Sequence, residues 1–143
     1  MNDVQAITNV VCSYAEMLDA GDLDGLHRLF ARATVYTPGA EEPLEGTDAI
    51  RRLIVDAVHL YDGAPSTKHL VTNLIVEIDG TGTSATARSY YTALQARPEL
   101  PLQPIIAGRW HDRLQKHGDQ WWLVERRIYA DLVGDLTHHI KGL

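Results

Sequence analysis

The fold is decided by the stretch Thr67-Lys68-His69-Leu70-Val71-Thr72-Asn73-Leu74-Ile75-Val76-Glu77-Ile78-Asp79. Its β-branched residues predict a strand, and Asp79 followed by Gly80 predicts the turn that ends it. His69 lies near the start of this strand, and histidine is the side chain that changes charge closest to neutral pH. Helical patterns precede the stretch and strand patterns follow it, so it marks the transition from helices to a sheet.

Three helices are predicted upstream of this strand. Residues 3–20 have apolar side chains at spacings of three and four, the period of an amphipathic helix, and Gly21 ends the pattern. A short second helix follows, and a third has an apolar face that runs from Ile50 to Tyr61. The expected N-caps are Asp3 for the first helix, Asp22 for the second, and Thr47 or Asp48 for the third.

Hairpin-connected strands are predicted downstream. The expected strands are 67–79, 85–95, 105–116 and 121–132, and a brief strand, 34–37, is expected before the polar loop 40–46. The tail 133–143 has little pattern and is expected to be partly loose. Three helices followed by a run of strands indicate an α+β fold. A long antiparallel sheet must curl to cover the helices, and the open mouth of such a cone is a common small-molecule site.

The composition is that of one soluble globular domain. The 143 residues are 45% hydrophobic and 22% charged, and the net charge of −6 argues against a nucleic-acid partner. No apolar run approaches the ~20 residues that span a bilayer, and the N-terminus has no signal-peptide pattern, so a cytoplasmic protein is expected. Cys12 is the only cysteine, and no group of His, Asp or Glu has metal-ligand spacing. Neither a disulfide nor a metal site is therefore expected.

A family resemblance is carried by three pieces of the sequence, in this order: Tyr14 to Asp24, His69 to Asn73, and Gly108 to Leu114 with Gly118 to Trp121. They resemble the junction of the first two helices, the start of the first long strand and the last hairpin of the SnoaL-like branch of the nuclear-transport-factor-2-like (NTF2-like) superfamily. The resemblance extends from about Val4 to Ile128. It implies a single SnoaL-like domain over residues 1–143, with three N-terminal helices packed in a curved antiparallel sheet.

The resemblance also implies a homodimer formed through the open face of the sheet. Alternating apolar residues on the last two predicted strands could supply that surface: Ile106, Trp110, Leu114, Trp122, Val124 and Ile128.

An activity is implied as well. Scytalone dehydratase, a bile-acid dehydratase and hexachlorocyclohexane dehydrochlorinase belong to this branch, and each uses an Asp–His pair without a metal or organic cofactor. The matching positions of this chain are Asp19 and His69. Tyr14 stands five residues before Asp19, the spacing of a tyrosine that the bile-acid dehydratase uses. Where scytalone dehydratase has a second histidine, on the next strand, this chain has Tyr90 or Tyr91.

The residues support these roles independently of the resemblance. An acid near a helix C-terminus opposes the helix dipole, so the position of Asp19 beside an apolar face is unfavourable unless it serves a function. A carboxylate bound to one imidazole nitrogen of His69 would leave the other nitrogen free to take a proton. Tyr14 lies on the apolar stripe of the first helix, where it either packs in the core or donates a hydrogen bond to a substrate oxygen. His138 and His139, near the tail, are expected to have no functional role.

Five residues are candidates for binding a substrate. Alternation along a strand allows only one of Tyr90 and Tyr91 to face inward. Asn73 has the same parity as His69 and would face the same side unless a bulge intervenes. The other two candidates are Trp110, which either lies in the core or contacts a ligand, and Arg127, which could instead pair with Glu125 or Asp131.

The sequence therefore predicts a cofactor-free lyase, of the dehydratase type, or an isomerase. Its partner would be a small, largely apolar, oxygenated ring compound, with His69 as base, Asp19 as its orienting partner and Tyr14 as a possible donor. The alternative is a non-catalytic module of the same fold that binds a small molecule or dimerises. A third possibility, epoxide opening, requires an Asp–Arg–Asp group, of which Arg88 and Asp131 could form fragments.

Overall fold

A computed structural model describes residues 1–143. It contains a helical part followed by a sheet, in the chain order that the sequence predicts. The helices are α1 (Asp3–Ala20), α2 (Leu23–Leu29) and α3 (Gly46–Ile50), the last continued by a π-helical segment (Arg51–Val55). The strands are β1 (Thr34–Tyr36), β2 (Leu44–Glu45), β3 (Thr67–Ile78), β4 (Ser84–Arg97), β5 (Leu100–His117) and β6 (Gln120–Val133). None of the helices combines the length and the hydrophobicity that crossing a bilayer requires.

Helix α1 has the predicted extent but a different cap. Asn2, rather than Asp3, is the N-cap, and its side-chain oxygen accepts a hydrogen bond from the backbone N–H of Gln5 at 2.8 Å. Gly21 ends the helix in the left-handed conformation, with φ of 70°. A Cβ atom there would lie 1.9 Å from the carbonyl oxygen of Gly63, so both the backbone and the packing require glycine. The α1–α2 junction, just after Asp19, is therefore fixed tightly.

The third helix is shorter than predicted. It begins at Gly46, so Thr47 and Asp48 lie inside the helix and neither caps it. Its π-helical continuation ends at Val55, before Val58 and Tyr61. Val58 instead forms a β-bridge with Ile140 of the tail, which competes with continued helix. The predicted polar loop 40–46 also contains the short strand β2, which pairs with β1.

The sheet has six strands in the order β2-β1-β6-β5-β4-β3. Strands β3 to β6 form an antiparallel meander, and β1 runs parallel to β6. The register shifts within all three meander pairings, which marks bulges that bend the strands. The sheet curves around α1, and the predicted α+β architecture of helices packed in a curved antiparallel sheet is confirmed.

The core lies between α1 and the inner face of this sheet. Trp110 and Leu114 of β5 are almost fully buried there, together with Ile7, Val11 and Leu18 of α1. The prediction that Trp110 and Leu114 supply an outer dimer surface is therefore wrong, because the register of β5 turns both side chains inward. The homodimer itself stays a prediction.

The sequence analysis expected the tail to be partly loose, but in the structure backbone hydrogen bonds hold it in place. The backbone N–H of His59 donates to the carbonyl oxygen of His139 at 2.8 Å, and Lys141 donates to that of Ala57 at 2.8 Å. These bonds hold residues 134–143 across the open end of the cone, beside the segment that follows α3. The tail thereby becomes one wall of the cavity described below.

Candidate active site

Asp19 and His69 meet where the last turn of α1 crosses the start of β3. The carboxylate of Asp19 accepts three hydrogen bonds: from Nδ1 of His69 at 2.7 Å, from the backbone N–H of His69 at 2.8 Å and from Oγ1 of Thr67 at 2.8 Å. The side chains of His69 and Asp19 are only 7% and 9% exposed. Two residues that lie fifty positions apart in the chain are thus held as a buried pair.

The surroundings of Asp19 decide its charge. Burial favours the neutral acid, but the hydrogen bonds from the ring and backbone of His69 and from Thr67 outweigh it, and they hold the pKa of Asp19 below its ordinary value. The carboxylate is therefore ionised at neutral pH. We assign the proton of neutral His69 to Nδ1, facing this carboxylate, which leaves a lone pair on Nε2.

His69 lines a cavity of about 130 Å³ at the open end of the cone. Its lining residues, apart from His69 and His139, are hydrophobic. They are Tyr14, Leu18, Leu53, Ile54, Val58, Tyr91, Ile106, Trp110, Ile128, Leu136 and Ile140. An apolar cavity of ~150 Å³ in another protein holds benzene, so this one matches a single small ring.

Tyr14 forms part of the cavity wall and belongs to the aromatic core as well. Its ring packs edge-on against Trp110 at 5.1 Å and against Phe30 at 5.4 Å, measured between centroids. Burial raises the pKa of Tyr14, although the nearby Arg126 guanidinium opposes that shift. The phenol therefore stays protonated at neutral pH and is able to donate a hydrogen bond. Tyr14 therefore packs in the core and also lines the cavity, and its role as a donor to a substrate oxygen stays a prediction.

Tyr91, rather than Tyr90, faces the cavity. Its ring stacks on Trp110 with a centroid distance of 5.0 Å, and its hydroxyl donates to the carbonyl oxygen of Tyr129 at 2.9 Å. Burial raises the pKa of Tyr91 to about 12. Because the hydroxyl is already bonded to the backbone, Tyr91 and Trp110 present flat apolar surfaces to the cavity.

Three of the predicted substrate-binding residues do not reach this cavity. Tyr90 alternates with Tyr91 and is 52% exposed on the outer face. Asn73 lies at a bulge with φ of 53°, where the register shifts between Thr72 and Ile75, so it has lost the parity that it would share with His69. Arg127 also lies on the outer face, where its guanidinium stacks over Tyr36 at 3.9 Å. It lies 3.4 Å from Glu125, so the alternative pairing with Glu125 is the one that forms.

The Asp–Arg–Asp fragments considered for epoxide opening are also on the outer face. Arg88 pairs there with Glu77 at 2.6 Å, and Asp131 pairs with Arg109 at 2.8 Å. Neither pair contacts the cavity. The chain therefore offers no match for that arrangement at this site.

A buried ion pair that the sequence analysis did not predict lies behind the rings of Tyr14 and Trp110. Arg126 and Asp112 are directly opposite on β6 and β5, and they form two hydrogen bonds at 2.8 and 2.9 Å with no side-chain exposure. The guanidinium lies 4.1 Å from the ring centroid of Trp110 and 4.6 Å from that of Tyr14. A cation stacked on both rings orients them.

His139 lines the cavity, a position that the sequence analysis did not foresee. Its ring is buried, 6.1 Å from that of His69 between centroids. Burial lowers the pKa of His139 to about 4, and the nearby His69 and His59 contribute to that shift. The negative charge of Asp19 opposes it. One signal could have found it: Leu136 and Ile140 flank it at spacings of three and one, the pattern of a single helical turn with one apolar face.

The structure contains no group of three or more His, Cys, Asp or Glu side chains placed to hold a metal ion. The lining side chains that carry polar groups are His69, His139, Tyr14, Trp110 and Tyr91, and the hydroxyl of Tyr91 is already bonded to the backbone. This set is suited to moving one proton and hydrogen-bonding one oxygen.

Comparison with known proteins identifies the family. The family model of the SnoaL-like domain matches residues 1–127, so the chain belongs to the SnoaL-like family. Similar solved structures have the NTF2-like fold. An NTF2-like protein with a cystatin-like fold from Novosphingobium aromaticivorans has 19% identity and a TM-score of 0.72, over 88% of this chain and 80% of that chain.

Two further solved structures have names that refer to dehydratases. A candidate scytalone dehydratase from Novosphingobium aromaticivorans is 22% identical with a TM-score of 0.73, over 93% of this chain and 87% of that one. A candidate dehydratase of the NTF2-like family from Streptomyces avermitilis is 17% identical with a TM-score of 0.72, over 92% and 97%. At these identities the likeness establishes the NTF2-like cone and leaves the reaction to be argued from the site.

Proposed function

We propose that this protein is a lyase of the dehydratase type, or an isomerase, that acts through the Asp19–His69 pair without a metal or organic cofactor. One observation carries the proposal: the 2.7 Å bond between Nδ1 of His69 and Oδ1 of Asp19, in a buried pair whose imidazole lines an apolar cavity. The carboxylate fixes the tautomer of His69 and stabilises the imidazolium that forms when Nε2 takes a proton.

The elimination of water from a β-hydroxy ketone illustrates the chemistry. Nε2 of His69 takes the proton from the carbon next to the carbonyl, and that C–H electron pair forms an enolate. The enolate re-forms the carbonyl and a carbon–carbon double bond as the C–O bond to the hydroxyl breaks. The imidazolium then returns its proton to the departing oxygen, so the products are an unsaturated ketone and water. An isomerase would return the same proton to a different carbon.

The cavity supports a small, uncharged substrate. Its volume of about 130 Å³ matches one ring, and no Lys or Arg lines it. A phosphate or carboxylate group would therefore enter an apolar space without a cation to pair with. Tyr14 lines the same cavity, and in this proposal its phenol donates to the oxygen that gains charge in the transition state.

The alternative is a binding module that uses the same cavity without turnover. A SnoaL-like fold alone does not decide between the two. An ionised carboxylate kept at the C-terminal end of a helix, where the helix dipole opposes it, favours the catalytic proposal. A purely apolar pocket could bind the same ligand without it.

The test is turnover of β-hydroxycyclohexanone to cyclohexenone, followed by the absorbance of the conjugated product. The wild type should accelerate this reaction, and His69→Gln should lower the rate by ~10²–10⁴-fold, the usual contribution of a general base. Gln is preferred to Ala because its amide can still bond to the buried Asp19 carboxylate and protect the fold.

His111→Gln is the matched control. His111 lies on the same sheet, but it packs against Tyr129 on the outer face, with ring centroids 5.1 Å apart. The rate of this variant should equal that of the wild type. A His69→Gln enzyme as fast as the wild type would refute the proposal, and a wild type that binds the ring ketone without converting it would favour the binding module.

A further inference from the structure

We propose that His139 is a second catalytic residue, a neutral hydrogen-bond donor that binds the substrate oxygen beside His69. The inference rests on the proposed function and narrows its substrate class. The substrate would be an uncharged single-ring compound whose carbonyl oxygen accepts from His139 while the adjacent carbon faces His69. Both imidazoles line the same cavity, with their ring centroids 6.1 Å apart.

The position of His139 is fixed by its backbone. The N–H of His139 donates to the carbonyl oxygen of Leu136 at 3.0 Å, and its own carbonyl accepts from the N–H of His59 at 2.8 Å. The preceding carbonyl, of His138, accepts from Nε2 of Gln95 at 3.1 Å and from the hydroxyl of Tyr61 at 2.6 Å. The ring is thus carried by a segment that is bonded on both sides, which is what a preorganised donor needs.

The two ring nitrogens of His139 have different surroundings. Nδ1 is buried and has no hydrogen-bond partner. A buried N–H without an acceptor is strongly unfavourable, whereas a bare lone pair is tolerated better. The proton of the neutral ring therefore belongs on Nε2, the nitrogen that remains available to a ligand in the cavity.

His139 also stays uncharged at neutral pH. The groups that face it are His69, His59 and Asp19, and burial with the two histidines outweighs the carboxylate in lowering its pKa to about 4. A neutral imidazole donates one hydrogen bond without adding a positive charge next to the imidazolium of His69. The two histidines then have different roles: Nε2 of His69 accepts a proton, and Nε2 of His139 donates a hydrogen bond.

This division suits proton abstraction next to a carbonyl. The proton that His69 removes and the oxygen that gains negative charge are separated by only two carbon atoms. The imidazole centroids lie 6.1 Å apart, so both rings can contact one ketone group that lies on the cavity side of the pair. A fixed donor at that oxygen stabilises the enolate more than the ketone, and it thereby lowers the barrier.

The experiment uses cyclohexanone, isotopically labelled at its carbonyl carbon, as a probe that binds without eliminating. In the wild-type protein its carbonyl NMR signal should move downfield, as hydrogen bonding to the oxygen requires. His139→Phe keeps a ring of similar size but has no donor, so the shift should shrink to the part that Tyr14 supplies, and the affinity should fall roughly threefold to tenfold. His139→Gln places an amide N–H near the position of Nε2 and should restore part of the shift. His138→Phe is the control, because its side chain lies near Glu99, and it should behave as the wild type.

The inference is overturned if cyclohexanone does not bind the wild type, or if His139→Phe keeps both its shift and its affinity. Should the Phe variant not fold, the tautomer of His139 in the wild type decides: a proton on Nε2 supports the inference, and a proton on Nδ1 overturns it. The probe also separates this inference from the proposed function. His69→Gln should keep the carbonyl shift, since neutral His69 has no proton on Nε2, while losing turnover of β-hydroxycyclohexanone. If His69→Gln keeps turnover of β-hydroxycyclohexanone, the catalytic proposal is refuted. The carbonyl shift would still show whether His139 donates a hydrogen bond to a bound ketone.

Discussion

Replacing Asp19 with Asn perturbs the candidate site most directly, because it removes the charge and keeps the size. In the structure one carboxylate oxygen accepts from Nδ1 of His69 and from Oγ1 of Thr67, and the other accepts from the backbone N–H of His69. An amide offers one oxygen and one NH₂ group. If the NH₂ faces the backbone N–H, two donors oppose each other. If it faces the ring instead, the proton of His69 must move to Nε2, and the base is lost.

The magnitude follows from the least damaging of these outcomes. At least one hydrogen bond to a charged group is lost in a buried site, and such bonds contribute about 1.5–3 kcal/mol. We therefore expect the free energy of unfolding at neutral pH to fall by about 2 kcal/mol. In urea the midpoint should move down by roughly 1 M, with an unchanged slope for a protein of this size.

The stability difference between the wild type and Asp19→Asn should depend on pH. The pKa of Asp19 is lowered in the folded protein from an ordinary value of 3.8, so the unfolded chain binds the proton more readily. The stability that the carboxylate contributes is complete above pH ~4 and is lost as the pH falls through the folded pKa. The difference between wild type and Asp19→Asn should therefore be full at neutral pH and shrink progressively in acid.

The assay is urea unfolding followed by circular dichroism, at neutral pH and at a series of acidic pH values. Glu16→Gln is the control, since Glu16 is an exposed carboxylate on the same helix and should leave the midpoint unchanged. Equal midpoints for wild type and Asp19→Asn at neutral pH would refute the reasoning. So would a difference that grows as the pH is lowered.

Other substitutions test the wall of the cavity and its support. Gly108→Ala would place a Cβ atom 1.9 Å from the carbonyl oxygen of Tyr129. The free energy of unfolding, measured in urea, should therefore fall by roughly 1–3 kcal/mol. Asp112→Asn leaves the fully buried Arg126 without its counter-charge, and the free energy of unfolding should fall by about 3–5 kcal/mol. Tyr14→Phe should lower the elimination rate by ~10²–10³-fold, the usual loss for one donor at the developing oxyanion, while the urea midpoint stays close to that of the wild type.

The part of the site that could be predicted depends on residues in regular elements. The period of α1 put Tyr14 on its apolar face and Asp19 on or beside it, and the β-branched pattern put His69 near the start of β3. Short, strong patterns of this kind are decided locally. That Asp19 and His69 meet was implied by the family resemblance. The roles of these residues as catalysts stay predictions until activity is measured.

Other features depend on contacts that no local pattern reveals. The bulge near Asn73 reverses the parity of β3, and one such residue is enough to move a side chain to the opposite face. The third helix stops early because Val58 pairs with Ile140, far away in the sequence. His139 is functional in our proposal only because the tail folds back over the cavity, a fact of tertiary structure.

The alternation of β4 illustrates an intermediate case. The sequence showed that one of Tyr90 and Tyr91 faces inward but not which one, because the choice depends on the register with β5. Pairing of Tyr91 with Gly108 settles it, since the glycine leaves space for the Tyr91 hydroxyl. A Cβ at that glycine would lie only 2.8 Å from the hydroxyl oxygen.

The measurement that tests the central claim most directly is the NMR spectrum of the His69 ring nitrogens, at neutral pH, in the wild type and in Asp19→Asn. We predict a proton on Nδ1 and a bare Nε2 in the wild type, with the proton partly or wholly on Nε2 in the variant. We also predict that cyclohexanone perturbs the Nε2 signal of the wild type. A wild-type ring protonated on Nε2, or a tautomer unchanged in the variant, would contradict the account, because His69 would then not be the base that Asp19 orients.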